Sequence, residues 1–337
     1  MDDRHSRQER QVTQDTCIAG NIRTMEEFSI FVGLSRPTVS KYFNAPDSVR
    51  KSTRDRIEAA IEASGFTPNL FATNLKRSRT RVLGVIIPTA TDPFYMELVR
   101  QVEDIASRAG YVVFMLSSNG QAAREADAIA RLESMNIAGA IVVPIGAEGP
   151  SSRLTSLERR SAIVYVDSAP DTDAPFVGTD NAQSIGLIVD YLCRSGEPPW
   201  FLRMPEINRN AASRLAAYEN AMAKAREQPR ILPIPNILTW DFERHGHEVA
   251  IPFLSKGRSS TTVLCANDRI ALGVQLAAWE AGITVGRRPG ATLRVAGHDD
   301  HPFARYGCPP LTTVSQETSN AKCSNLMPGQ LVLRESA

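Results

Sequence analysis

The sequence predicts a small all-α helix-turn-helix module followed by a larger α/β region of two lobes with parallel sheets. Three observations carry this. Short helical patterns between Thr24 and Gly65 are punctuated by "GLSRPTVSKYFN". From Val82 onward, apolar strands alternate with amphipathic helices. The charge is unevenly placed: Leu34 to Arg81 holds ten basic against four acidic residues, so that window carries about +6 in a chain whose formal net charge is only +1. A basic head on a mildly acidic body is the asymmetry of a nucleic-acid-binding module joined to a neutral one.

The first helix is predicted to start at Thr24, which with Glu27 forms a capping box, and to bury Met25, Phe28, Phe31 and Val32. Gly33 can end it in a left-handed conformation without a Cβ penalty. Ser35 caps the second helix, and Pro37 sits in its first turn, where a missing N–H costs nothing. Val39 and Phe43, four residues apart, point inward. The outer and leading faces keep Arg36, Pro37, Thr38, Ser40 and Lys41 for a DNA major groove. Arg36 and Lys41 can donate to guanine edges, Thr38 and Ser40 can hold phosphates or bases, and Pro37 offers apolar contact. Ser35 and Asn44 flank this set. Ser52 with Asp55 is expected to begin a third helix, with Ile57 and Ile61 completing the small core before Gly65.

In the body, the strand-like runs are "VLGVIIP", "YVVFMLSS", "GAIVVP", "AIVYVD", "TTVLCAND" and "TLRVAGHD", with helical stretches between them such as Phe94–Gly110 and Ala122–Leu132. Continuous Val/Ile strands separated by helices predict parallel sheets covered on both faces. Ligands of such sheets lie beyond the carboxyl ends of the strands. Those ends carry Asp92, Phe94, Asp167, Asn267, Asp268 and Asp299, and Arg214 and Trp240 lie in "SRLAAY" and "TWDF". Carboxylates, an amide, an arginine and flat aromatic faces suit a sugar, although an Asp after a strand is equally a common helix cap.

"GHDDH", from Gly297 to His301, offers two His and two Asp, but adjacent residues rarely converge on one ion, so no metal is expected. No nucleophile elbow, phosphate-cradling glycine loop or zinc-protease helix is present, so neither an enzyme nor a cofactor is expected. His245 and His247 read as surface helix residues. The five cysteines, Cys17, Cys193, Cys265, Cys308 and Cys323, form no C-x-x-C pair and read as reduced thiols. The polar start "MDDRHSRQERQVTQDT" lacks the apolar core of a signal peptide, and no apolar run reaches membrane-spanning length. The expectation is a cytoplasmic protein.

The stretch from Met25 to Pro88, "MEEFSIFVGLSRPTVSKYFNAPDSVRKSTRDRIEAAIEASGFTPNLFATNLKRSRTRVLGVIIP", resembles the N-terminal domain of the lactose/galactose-repressor family of bacterial regulators, and the resemblance runs from Thr24 to the end. It implies a helix-turn-helix domain over 24–68, a hinge helix and linker over 69–81, and a two-lobed periplasmic-binding-protein-like effector and dimerisation domain over 82–337. Residues 1–23 form a polar extension. Lobe 1 would take about 82–178 and 316–328, and lobe 2 about 179–315 and 329–337. The resemblance also implies a homodimer on a pseudo-palindromic operator, with hinge helices in the minor groove from Asn69 onward and Leu75 as the apolar wedge beside Lys76. Effector contacts fall in the "TDPF" loop and on the Arg of "RLAAY", the Asp of "AND" and the Asp of "GHDD". A sugar is the expected effector, with a nucleobase or other metabolite as the alternative.

The chain departs from the family pattern near its end. Only "ETSNAKCSNLM" stands where relatives build a helix of several turns, which predicts a sheet face in lobe 1 short of one covering helix. A transport binding protein would share the two lobes but would need a signal peptide and no basic head.

Overall fold

The computed structural model describes residues 22–67, 80–146, 152–168, 174–256, 260–316 and 325–337. The chain separates into two compact units at Thr80/Arg81. Among the described residues the first holds three helices: α1 (Met25–Val32), α2 (Arg36–Asn44) and α3 (Lys51–Ser64). The Thr24–Glu27 capping box is formed in both directions, and Gly33 closes α1 at a φ of 64°, a left-handed value that only glycine adopts cheaply.

Phe28, Val39 and Ile57 are fully buried, one from each helix. Phe66, just past the Gly65 stop, folds back and stacks on Phe28 at 4.4 Å between ring centroids. It closes a core that the sequence reading ended at Ile61. The third helix also begins differently from expectation. Its first residue is Lys51, and Arg50 stands at the cap position with no side-chain hydrogen bond. The short 3₁₀ turn Pro46–Ser48 leads into extended backbone at Val49 and Arg50, so the helical φ/ψ values start one residue before Ser52 could act as a cap.

The second unit has two lobes. In the first, β11 (Asn325–Met327), β5 (Phe176–Thr179), β4 (Ala162–Val166), β3 (Gly139–Val142), β1 (Val82–Ile87) and β2 (Val112–Ser117) form a six-stranded sheet in that order. All its pairs are parallel. Helix α4 (Pro93–Arg108) covers one face through Tyr95 and Val99. Helices α5 (Ala122–Ser134) and α6 (Ser152–Glu158) cover the other through Ile129, Leu132, Leu154 and Leu157.

The second lobe's sheet runs β7 (Arg230–Ile231), β6 (Trp200–Leu202), β8 (Thr261–Cys265), β9 (Leu293–Ala296), again all parallel. Around it stand α7 (Asn181–Ser195), α8 (Arg209–Lys224), α9 (Phe242–Leu254) and α10 (Asp268–Glu280). The α9–α10 approach is set by two glycines. A Cβ on Gly246 would lie 2.1 Å from the Ile270 carbonyl oxygen, and one on Gly273 would lie 2.0 Å from that of Glu243. Backbone therefore meets backbone, which brings Glu243 beside Arg269. His245, read from sequence as a surface residue, is buried here, with its ring bonding the Arg203 carbonyl at 3.1 Å.

The antiparallel pair β10 (Thr313–Gln316) and β12 (Gly329–Val332) completes the unit. Most of the polar segment flagged in the sequence lies outside the described residues. Its end, Asn325–Met327, is a strand rather than irregular chain, because it adds edge hydrogen bonds to β5. On the sheet face beneath α4, Ile141, Val164 and Val166 stay half-buried.

Candidate functional site

Two polar surfaces answer to the sequence-predicted residues, one in each unit. In the head, Ser35, Arg36, Pro37, Lys41 and Asn44 are exposed and Thr38 and Ser40 are half-buried, whereas Val39 of the same helix is buried. The Ser35 hydroxyl accepts from the Thr38 N–H and shares a 2.8 Å hydrogen bond with the Thr38 hydroxyl, so both residues also build the helix start. The amide of Asn44 donates to the Ser40 carbonyl at 2.8 Å. Arg36 is 52% exposed and meets Glu26 at only 3.6 Å, a loose surface pair that leaves its guanidinium available. Tyr42, missed in the sequence, ties α2 to α3 by donating to Glu58 at 3.2 Å. Asn69, Leu75 and Lys76 lie outside the described residues.

In the body, all eight predicted effector residues border one cleft between the lobes, with about 460 Å³ of space partly open to solvent. The strand-end placement explains this, since each lobe's parallel sheet delivers its carboxyl ends to the same gap. Arg214 sits at the centre, its side chain 4% exposed. Its guanidinium donates to Asp299 at 2.7 and 3.3 Å, to the Ala266 carbonyl at 2.7 Å and to Asn181 at 3.2 Å. Asp299 also accepts from Gln316 and from the His298 ring, the latter at 2.7 Å, and His298 reaches Ser184 at 2.8 Å on its other side.

Asp167 accepts from Tyr95 at 3.1 Å and from Asn210 at 2.9 Å. Burial pushes its carboxyl up to about 6, reinforced by Asp299 and Asp92 and opposed by Arg214. Asp299 goes the other way: Arg214 and His298 outweigh its burial and hold it at about 2. Asp167 and Asp299 sit at φ values of 68° and 113°. Non-glycine residues keep such backbone only where their surroundings hold them there, a pattern concentrated at ligand sites.

Several of these strand-end residues serve the fold. One oxygen of Asp92 caps α4 at the Phe94 N–H, and the other takes Arg269 from the opposite lobe at 3.0 Å. Asn267 caps α10. Asp268 is fully buried, with its carboxylate tying Thr313 at 2.6 Å to the His301 N–H at 2.7 Å, so it positions the cleft wall. Trp240 lies 6.4 Å from Tyr95, edge to face.

Sequence reasoning missed Tyr95, Asn208, Arg269, His301 and Gln316, all of which border the cleft. Arg269 had a usable signal, because a cation in the first turn of a helix opposes the helix dipole and so implies a partner elsewhere. It is clamped by Glu243 at 2.7 and 2.6 Å and stands over the Phe242 ring. Among the described residues, no group of three or more His, Cys, Asp or Glu is placed to hold a metal ion. Also among them, no helix is long and apolar enough to cross a membrane.

A helix-turn-helix head and a two-lobed parallel α/β body with a polar cleft define a DNA-binding sensor architecture. Residues 24–69 match the model for "Bacterial regulatory proteins, lacI family", and residues 80–291 match that for "Periplasmic binding proteins and sugar binding domain of LacI family". The chain belongs to the LacI family. It is 29% identical over 298 residues to the ribose operon repressor of Escherichia coli (strain K12), covering 87% of this chain and 88% of the relative. It is 26% identical over 296 residues to the transcriptional repressor PurR of Haemophilus influenzae (strain PittEE), covering 87% and 86%. A crystal structure of the lac repressor dimer bound to operator and the anti-inducer ONPF shares its fold with a TM-score of 0.75, at 24% identity, covering 94% of this chain and 99% of that one.

Proposed function

We propose that this regulator is a homodimeric, cytoplasmic transcriptional repressor that binds a pseudo-palindromic operator and is switched by a small neutral metabolite, with a sugar as the favoured class. The observation that carries this is the pairing, in one chain, of an exposed helix bearing Arg36 and Lys41 with a cleft whose buried Asp167 and Arg214 and partly exposed Asp299 are held ready for hydroxyl groups. The names of the ribose operon repressor and of the ONPF-bound lac repressor support a small-molecule sensor. In this reading Asn69 begins a hinge, Leu75 wedges a central base step and Lys76 contacts phosphate. Effector and operator are then linked reciprocally through the lobes.

The test is an operator titration at several salt concentrations, with and without candidate sugars, after selecting the operator from random duplexes. Affinity should fall steeply with salt and change at least severalfold with one sugar. Lys41→Ala should relax base preference, whereas Lys76→Ala should weaken all sequences alike. Operator affinity that no sugar alters would sink the sugar-sensor version.

A further inference from the structure

The "GHDDH" run holds a residue that the sensor reading leaves unused. His301 borders the cleft, is 5% exposed, and its Nε2 is buried without a hydrogen-bond partner. The tautomer follows from its other nitrogen. The Phe303 N–H donates to Nδ1 at 3.2 Å, so Nδ1 is an acceptor and the neutral ring carries its proton on Nε2. The orphan is therefore an N–H donor.

Its position is also fixed. The His301 N–H is held by Asp268 at 2.7 Å, and the His301 carbonyl accepts from Ala304 at 2.8 Å. Burial lowers the ring's pKa, which keeps the imidazole neutral. A buried donor left bare is unfavourable, and buried polar groups of this kind are satisfied by a ligand or by water.

We propose that His301 Nε2–H is a specificity-determining donor of the cleft, reserved for an uncharged acceptor oxygen of the effector, a hydroxyl or a ring oxygen. This rests on the sugar-sensor reading above. The charge around the ring selects against an anion. Asp92, Asp299 and Glu243 act on it together with one cation, Arg269, whose guanidinium Asp92 and Glu243 already hold. A phosphate or carboxylate placed there would face three carboxylates, and Arg214 is likewise engaged by Asp299. A hydroxyl meets only the waiting donor.

Calorimetric titration of the full-length protein decides this, using D-ribose, D-glucose, D-galactose and cellobiose, the 5- or 6-phosphates of the three monosaccharides, and monodeoxy analogues of whichever sugar binds. A neutral sugar should bind wild type at least about tenfold tighter than its phosphate. His301→Phe should lose about tenfold, and His301→Gln, which restores a donor, should recover most of it. One monodeoxy analogue should bind wild type and His301→Phe equally, because the contact is then missing from both.

Neutral-sugar binding untouched by His301→Phe, or a phosphate that binds tighter than its parent sugar, overturns the assignment and leaves the sensor reading standing. If no sugar, neutral or phosphorylated, binds the folded wild type, the sugar-sensor reading fails and the His301 role falls with it. Thermal melts check folding. Should His301→Phe fail to fold, the wild-type discrimination against phosphate and the Gln variant still decide.

Discussion

The two polar surfaces of this chain use arginine in opposite ways. On the head, Arg36 is half exposed and meets Glu26 at 3.6 Å, while in the cleft Arg214 is 4% exposed and bonded to Asp299, Asn181 and a backbone carbonyl. The difference follows from the partner each surface has to meet. A DNA phosphate or base edge arrives with its own charge or dipole, so a mobile, solvated cation can leave a weak pair for it. A small neutral molecule brings little electrostatic energy, so the groups that recognise it must be positioned in advance, and a hydrogen-bonded network of buried groups holds them.

The largest effect that could break this contrast comes from Arg214. Arg214→Met should destabilise the larger unit by roughly 3–5 kcal/mol, because the buried Asp167 and the partly exposed Asp299 would lose their cation. Urea unfolding measures this, and a loss below about 1 kcal/mol would mean that the cleft arginine is as dispensable as a surface one.

Asp167 sharpens the same point through pH. Its folded value near 6 lies above its unfolded value, so its contribution is fully present below about pH 4 and is lost as pH rises through 6. Asp167→Asn should therefore be more stable than wild type at pH 7 to 8, by up to roughly 3 kcal/mol, and nearly equal to it below pH 4. Asp299 has the reverse sign. Its folded value near 2 means that its stabilisation is present above about pH 4 and disappears as pH falls through 2. Denaturation midpoints across pH 3 to 8 for wild type and Asp167→Asn check the Asp167 sign. A difference independent of pH would show that Asp167 does not titrate as its burial requires.

The smallest stability effect belongs to the head. Arg36→Ala should change unfolding free energy by no more than about 0.5 kcal/mol, since its pair with Glu26 is long and exposed, yet should weaken operator binding severalfold. A stability loss comparable to that of Arg214→Met would erase the distinction between the two surfaces.

The head was legible because its signals are local. Thr24 with Glu27, Gly33, Ser35 and Pro37 are caps and stops that act within four residues, and the structure keeps each of them. Where the reading slipped, at Ser52 and Phe66, the deciding feature was a turn entering or a chain leaving the helix, which helical periodicity does not encode. Unlike the short strands β5–β7 and β10–β12, six strands of the body, β1–β4, β8 and β9, were legible for the same local reason, as continuous apolar runs. Their polar ends were legible because a parallel sheet sends every carboxyl end the same way.

By itself, the sequence determined the two-part organisation, the basic head, six of the body's strands and the polar residues at their carboxyl ends. Those follow from periodicity, caps and charge counts, all of which are short-range. Tertiary structure alone decided which of these groups are spare. Asn267 caps a helix with its side-chain oxygen, Asp268 ties Thr313 to the His301 N–H, Arg269 reaches across to Asp92, 177 positions away in the chain, and His301 keeps one N–H without a partner. Hydrogen-bond capacity is settled only when distant segments meet, because a buried donor is free or satisfied according to what the rest of the chain places within 3 Å of it.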